Sequence, residues 1–463
     1  MKPKIHSIQN THSKQILWLA MAAILILFLF LFYAKQRVLY QDSAFFLFRI
    51  CNLESVIENH RYAAQLNYLL AYVAAYVGLP INLLIYLLSM GSFVFASFTA
   101  AVLWLKTKNI YLCALPLLAL ILPGPEMFFL PVSEMYIAIS FAIFMLGSFY
   151  FKYKYAFPKY ALPSLLGALA FNAHPGILPL IATILAWNWI NNSLKDSLIP
   201  GIIIVSFSIL KSKFIQNSSY EEALLSQLSL NELGNLFHFW SWGYFISAFK
   251  SWLFFPTIMF IFWMIQQLKI KKYFAALVLF FTTVLNAFFL LIIYKNGDSD
   301  MIMQKSFAPF VIGLSLPFML SLTKTKLAHY FKFSTVLVSG IFAFVQIIQV
   351  SEFYTIRYNK LQKIVQYKSI NNNEKVFQSN KTFNPEEWRV SWAIPYETLL
   401  ISTLENRRPF TINLYYGDKP DSSILQQVGI FYGAEFAAPI QTITLNKRYF
   451  KFQDSGKYSL TNP

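Results

Sequence analysis

The chain has 463 residues, of which 57% are hydrophobic, 18% aromatic and only 13% charged, with a mean hydropathy of +0.49. Soluble chains carry roughly 25% charged residues, so a mainly water-soluble globular protein is excluded. The net charge of +17 comes from 38 Lys and Arg against 21 Asp and Glu. The lysines form short clusters between apolar runs, not one basic face interleaved with aromatics, which sets nucleic-acid binding aside.

The apolar runs match the length that crosses a bilayer core. Eleven spans are expected, near 16–34, 82–105, 109–123, 134–151, 161–173, 177–190, 197–210, 252–268, 274–294, 307–322 and 333–350, the short ones around 161–210 being the least regular. The first run is too long for a signal-peptide core and no small-residue cleavage site follows it, so it reads as an anchor. Cys51 and Cys113 show no metal-ligand spacing, and a disulfide between them is not expected.

Between Tyr40 and Pro80 lie two apolar segments, "SAFFLFRICNL" and "YAAQLNYLLAYVAAYVGL", read as helices lying on or dipping into the outer leaflet. Residues 211–250 form a second outer loop, with an acidic helix near "SSYEEALLSQLSLNEL" and the aromatic stretch "FHFWSWGYF". The expected domains are therefore residues 1–350, a membrane domain with outer helices in 35–81 and the loop 211–250, and residues 351–463, an outer tail. That tail starts amphipathic, passes through a polar, disorder-like "NNNEKVFQSNKTFNP", and then reads as a helix ("IPYETLLISTLEN") and strands ("RPFTINLYYG", "VGIFYGA", "QTITLNKRYFKF"). The fold class is all-α and polytopic, with about eleven transmembrane helices and a small α/β C-terminal domain.

Charge sets the orientation. One alternating set of loops holds fifteen cations, from Lys2 to Lys332, and only Asp196 among acids, so it is assigned to the cytoplasm. The opposite set holds Asp42, Glu54, Glu58, Glu126, Glu134, Glu221, Glu222, Glu232, Asp298 and Asp300. The N-terminus is then cytoplasmic, the C-terminus extracytoplasmic, and any chemistry lies outside the plasma (inner) membrane.

Asp42, in "VLYQDSAFFLFRI", follows the first span among aromatics. A carboxylate at that depth must be paired or face water, and partial desolvation would make it a stronger base; an ordinary helix cap is the plain alternative. Glu126 and Glu134, in "LPGPEMFFLPVSEMYIA", could orient a sugar hydroxyl or hold a divalent cation such as Mg or Mn, or could simply favour a helix dipole. His174, in "GALAFNAHPGILPL", sits at a polar turn at membrane depth. It could contact a phosphate or only break a helix. Lys295 and Lys305, in "YKNGDSDMIMQKSF", and Arg61, in "ENHRYAAQ", are outer-face cations that run against the positive-inside tendency and could hold a lipid phosphate.

"LYQDSAFFLFRI", "RYAAQLNYLLAYVAAYVGLPINLLIYLLSMGSF", "PVSEMY" and "GALAFNAHPG" together resemble the GT-C superfamily of integral-membrane glycosyltransferases over about residues 15–350. The family's short motif is often a pair of acids, whereas Ser43 follows Asp42 here; where many bacterial members carry a lysine, His174 stands nearby. The resemblance implies transfer of a hexose or pentose from a polyprenyl-phosphate donor to an extracytoplasmic glycan, lipid or protein. It implies Asp42 as general base, inversion at the anomeric carbon, and Arg61, His174, Lys295 or Lys305 as partners of the phosphate. Alternatives are a lipid-linked polysaccharide polymerase or transporter, and a non-catalytic membrane scaffold.

Overall fold

The computed structural model describes residues 5–57, 59–215, 222, 238–321, 325–369, 375–383, 388–406, 409–415, 431–433, 441–452 and 458–460. The membrane part is helical throughout. It comprises α1 Ile5–Phe32, α2 Ala34–Val38, α3 Gln41–Cys51, α4 Leu69–Val77, α5 Ile81–Thr107, α6 Ile110–Leu118, α7 Pro125–Phe128, α8 Glu134–Ser148 and α9 Ala156–Ala173. It continues with α10 Leu178–Asn191, α11 Leu194–Phe214, α12 Trp240–Phe249, α13 Phe254–Lys269, α14 Tyr273–Ile293, α15 Asp300–Leu320 and α16 Lys326–Ser369. Short 3-10 turns over Tyr62–Asn67 and Pro175–Ile177 punctuate it. The acidic helix expected near residues 217–232 falls almost wholly outside the described residues.

Every expected span coincides with a helix, but the count of eleven is not reached. Among the described residues five helices are long and apolar enough to cross a membrane, or six if the pair Trp240–Phe249 and Phe254–Lys269, bent by 77°, is one span. The reason is length. Helix α8 has 15 residues and α10 has 14, about 22 Å at 1.5 Å per residue against roughly 30 Å of hydrocarbon. Helix α6 has nine residues and contains Pro116. A bilayer core crossed by such pieces needs them seated inside protein, where backbone groups freed by broken helices find partners.

Burial sorts the helices. Nearly all of α15 is buried, while α11, α14 and α16 turn most of their apolar surface outward. A helix apolar on all sides belongs at the centre of a bundle, and α15 supplies that centre. Helix α4 inverts the usual amphipathic pattern: Ala71, Ala74 and Ala75 face inward, while Leu69, Leu70, Val73, Tyr76 and Val77 are exposed. Large apolar side chains outward at helical spacing fit a helix embedded at a membrane surface.

Two glycines permit close approaches that shape the outer end. A Cβ on Gly91 of α5 would lie 1.9 Å from the carbonyl oxygen of Asn67, so only glycine lets the 62–67 turn press onto α5. Gly124 holds φ +145°, and the Gln304 amide fills the space its side chain would take. That amide oxygen accepts the N–H groups of Glu126 (2.7 Å) and Met127 (3.2 Å), tying α7 to α15. Arg37, fully buried, donates to the Phe128 carbonyl (2.8 Å), the Ser89 carbonyl (2.9 Å) and the Ser89 hydroxyl (2.7 Å) between the rings of Phe30 and Phe128.

Helix α16 runs unbroken through residue 350 to Ser369, so the amphipathic start of the tail is a continuation of the last apolar helix. Beyond it, strand β1 Lys375–Ser379, helix α17 Ile394–Asn406 and strand β2 Thr411–Tyr415 form a parallel β-α-β unit, and β5 Tyr458–Leu460 joins the far edge of β1 in parallel. Strands β3 Phe431–Gly433 and β4 Gln441–Ile443 pair antiparallel. Three of these strands and the helix match the expectation from sequence. The reading of 371–385 as disorder-like is corrected for residues 375–379, which form the central strand. Its Lys375 is buried over the rings of Phe452 and Tyr458, and its Val376 and Phe377 pack inside. A burial pattern carried by two apolar residues is too short to stand out from polar flanks.

Candidate functional site

Three segments distant in sequence meet around Glu134, the first residue of α8. Its Oε1 lies 3.3 Å from Arg61 Nη1 and its Oε2 lies 3.1 Å from Lys305 Nζ. Arg61 and Glu134 are buried, and Lys305 is mostly so. Each comes from a different support. Arg61 precedes the turn pressed onto α5. Glu134 follows Ser133, at the N-terminus of α8, where a carboxylate suits the helix dipole. Lys305 sits in the second turn of α15.

His174 joins this group. The Ala63 N–H donates to Asn172 Oδ1 (2.9 Å), which links the Arg61 segment to the turn after α9. Arg61, Lys305, Glu134 and Lys211 all act electrostatically on the His174 ring. His174 Nδ1 accepts the Gly176 N–H at 3.0 Å, so that nitrogen carries no proton. Burial, then the charges of Arg61 and Lys305, hold the ring well below the usual histidine pKa. The ring is therefore neutral, with its proton on Nε2, available to donate. The helix-breaking turn and the place beside the cations are both realised in one residue.

Three cations, Arg61, Lys211 and Lys305, thus act on the His174 ring, two of them in contact with the Glu134 carboxylate. Lys211, in the last turn of α11, escaped the sequence reading. A lysine just past an apolar run, on the side poor in lysines, was the signal that would have found it.

Glu126 has a different setting. Its Oε1 is 2.9 Å from Arg389 Nη1 of the C-terminal domain, and its Oε2 accepts a short hydrogen bond from the Tyr354 hydroxyl. A cavity of about 450 Å³ opens beside this pair, lined by Gln349, Glu352, Phe353 and Arg389. Glu126 and Glu134 were candidates for a metal as well as for an acceptor. Each is matched by Arg or Lys, and among the described residues no three His, Cys, Asp or Glu side chains converge. This donor set does not fit a divalent cation, and no step is derived through one. Lys295 lies two residues past the end of α14, where its carbonyl accepts the Trp240 N–H at 3.0 Å.

Asp42 lies in the first turn of α3, half-exposed. The N-cap is Tyr40, with extended backbone, so Asp42 is not itself the cap. Asp42, Phe46 and Arg49 form one stripe of the helix at i, i+4 and i+7. Phe46 packs on Tyr68 (5.1 Å between ring centres), and the Tyr68 hydroxyl donates to the Val132 carbonyl (2.9 Å), two residues before Glu134. Asp42 therefore lies on the helix stripe that meets the wall joining Arg61 to Glu134.

No family model matches the chain, and neither a curated protein nor a solved structure is found similar to it.

Proposed function

We propose that the protein is a membrane glycosyltransferase that takes a sugar from a polyprenyl-phosphate donor and gives it to an acceptor at the extracytoplasmic face. The observation carrying this reading is the meeting of Arg61 and Lys305 on the Glu134 carboxylate, with Lys211 also acting on the neutral His174 ring and the Nε2 proton of that ring beside them.

In the reaction, the acceptor hydroxyl gives its proton to the Asp42 carboxylate as its oxygen bonds to the anomeric carbon. The bond from that carbon to the phosphate oxygen breaks on the opposite side, and the electron pair stays on phosphate. The lipid phosphate passes from one to two negative charges, which the cations offset as they develop. Phosphate leaves readily, so one base suffices and no nucleophilic carboxylate is required. An apolar groove of about 510 Å³ runs along α11, lined by Leu185, Trp189, Leu198, Ile202, Val205 and Val278. It lies against residues 194–206 of α11, more than a turn short of Lys211, and its apolar lining suits a prenyl chain.

Transfer from a pool of synthetic polyprenyl-phosphate sugars to cell-envelope acceptors by purified protein tests this reading. Asp42→Asn is expected to lose about 10²–10⁴-fold in rate, the range for a general base. Equal rates for the two proteins would remove Asp42 from that role.

A further inference from the structure

Helix α3 is gripped along its length by the C-terminal domain. At its start, Gln41 holds a left-handed φ of 45°, unusual for a residue with a side chain, and its N–H donates to Glu397 Oε1 of α17 at 2.8 Å. The Gln41 side chain donates to the Tyr40 hydroxyl at 2.7 Å. Glu397 is fully buried and lies 2.6 Å from Arg357 Nη1. Arg357 in turn stacks over the Tyr40 ring (4.7 Å) and donates to the Val390 carbonyl (3.3 Å). Burial pushes the Glu397 carboxyl above its ordinary value, while Arg357 and the Gln41 amide pull it back.

The far end is held too. Asn446 Nδ2 donates to the Cys51 carbonyl and the Asn446 N–H donates to Asn52 Oδ1, both at 2.8 Å. Between the two ends, Phe45 meets Tyr396 (5.1 Å) and Trp392 (6.0 Å), and Phe48 meets Tyr396 (4.9 Å), Phe431 (5.1 Å) and Phe450 (5.8 Å). Gln41, Phe45, Phe48 and Asn52 fall on one stripe, and the stripe of Asp42, Phe46 and Arg49 lies beside it. The domain covers the first stripe and leaves Asp42 half-exposed on the second.

We infer that the C-terminal domain is a clamp that fixes the direction of Asp42. Glu397 is a positioning residue, acting through the Gln41 N–H on the turn that aims the carboxylate. The enzymatic part of this inference rests on the transferase reading above; the mechanical part does not. An ordinary packing interface would need the aromatic stripe alone. The clamp adds a buried carboxylate bonded to the one amide that sets a strained turn.

Two measurements on the full-length protein test it. The first is hydrogen–deuterium exchange across residues 40–44. Glu397→Gln, and the ion-pair replacement R357M/E397M, which leaves no buried charge and keeps the fold in place if the single variant fails, are compared with wild type. Exchange in this stretch is expected to rise at least tenfold while strands β1 and β2 stay protected; unchanged exchange in R357M/E397M overturns the clamp. The second is a double-mutant cycle on transfer, with rates normalised to the protein that binds polyprenyl phosphate. Glu397→Gln is expected to slow transfer about tenfold to a hundredfold in the wild-type background and not at all beyond Asp42→Asn. Additive losses overturn the positioning role, because a general structural defect adds to any other. Raised exchange with Asp42→Asn fully active leaves the mechanical clamp standing and overturns the positioning role, and raised exchange with no transfer by wild type leaves the clamp standing and overturns the transferase reading instead.

Discussion

Glu126 and Glu134 sit eight positions apart in one outer loop, each at the start of a helix and each buried, yet they differ in what surrounds them. Glu126 is matched by one arginine and one tyrosine hydroxyl, both from the chain that follows α15. Glu134 has two cations in contact, and those two, with a third, flank the neutral His174 ring. The first is a balanced joint between the membrane part and the C-terminal domain. The second gathers two cations on one carboxylate beside a buried, neutral histidine.

The contrast can be broken most severely at Glu134. Glu134→Gln leaves Arg61 and Lys305 facing each other, and the loss of stability is expected to be ~3–5 kcal/mol, read from thermal unfolding in detergent. Arg61→Met and Lys305→Met each remove one charge aimed at the leaving phosphate. Transfer should fall about 10²–10³-fold, while Arg389→Met, at the balanced joint, should leave the chemical step within a few-fold of wild type. Glu126→Gln tests that joint directly. Arg389 is 43% exposed at its side chain, so solvent screens the pair, and a loss of ~1–2 kcal/mol is expected, most of it from the Tyr354 hydrogen bond. A loss as large as that at Glu134 would erase the distinction.

Among the groups around Glu134, the smallest effect is expected at His174. Asn at this position keeps an acceptor for the Gly176 N–H and removes the Nε2 donor. The protein should fold as before and transfer about tenfold more slowly. Because burial and the neighbouring cations lower the ring's pKa, the ring is neutral above that lowered value. The wild-type rate should therefore show no step near pH 6.5 in a titration from pH 6 to 8. Such a step, absent from His174→Asn, would contradict the neutral ring.

Much of this centre was legible in the sequence because it is built from anomalies. Arg61, Glu134, His174 and Lys305 are polar groups at the outer ends of apolar runs, where membrane physics allows few, and all four meet. Lys295 shared the same anomaly, and its carbonyl ties the chain after α14 to the start of α12. The short helices α3 and α4 were legible as well, from their apolar content. The number of crossing helices was not. Short helices such as α6, α8 and α10 look like spans to a hydropathy reading, because burial in protein and burial in lipid ask for the same residues. The partners of Glu126 and Gln41 were also hidden: Arg389 and Glu397 lie 263 and 356 positions away, and nothing local in a chain encodes a contact of that range.

Binding of a short polyprenyl phosphate to the purified protein, followed by native mass spectrometry, tests the central claim most directly. The account predicts that wild type and Arg389→Met retain the lipid and that Lys305→Met and Arg61→Met lose it. Equal retention by all four would show that the cations at Glu134 do not hold the phosphate.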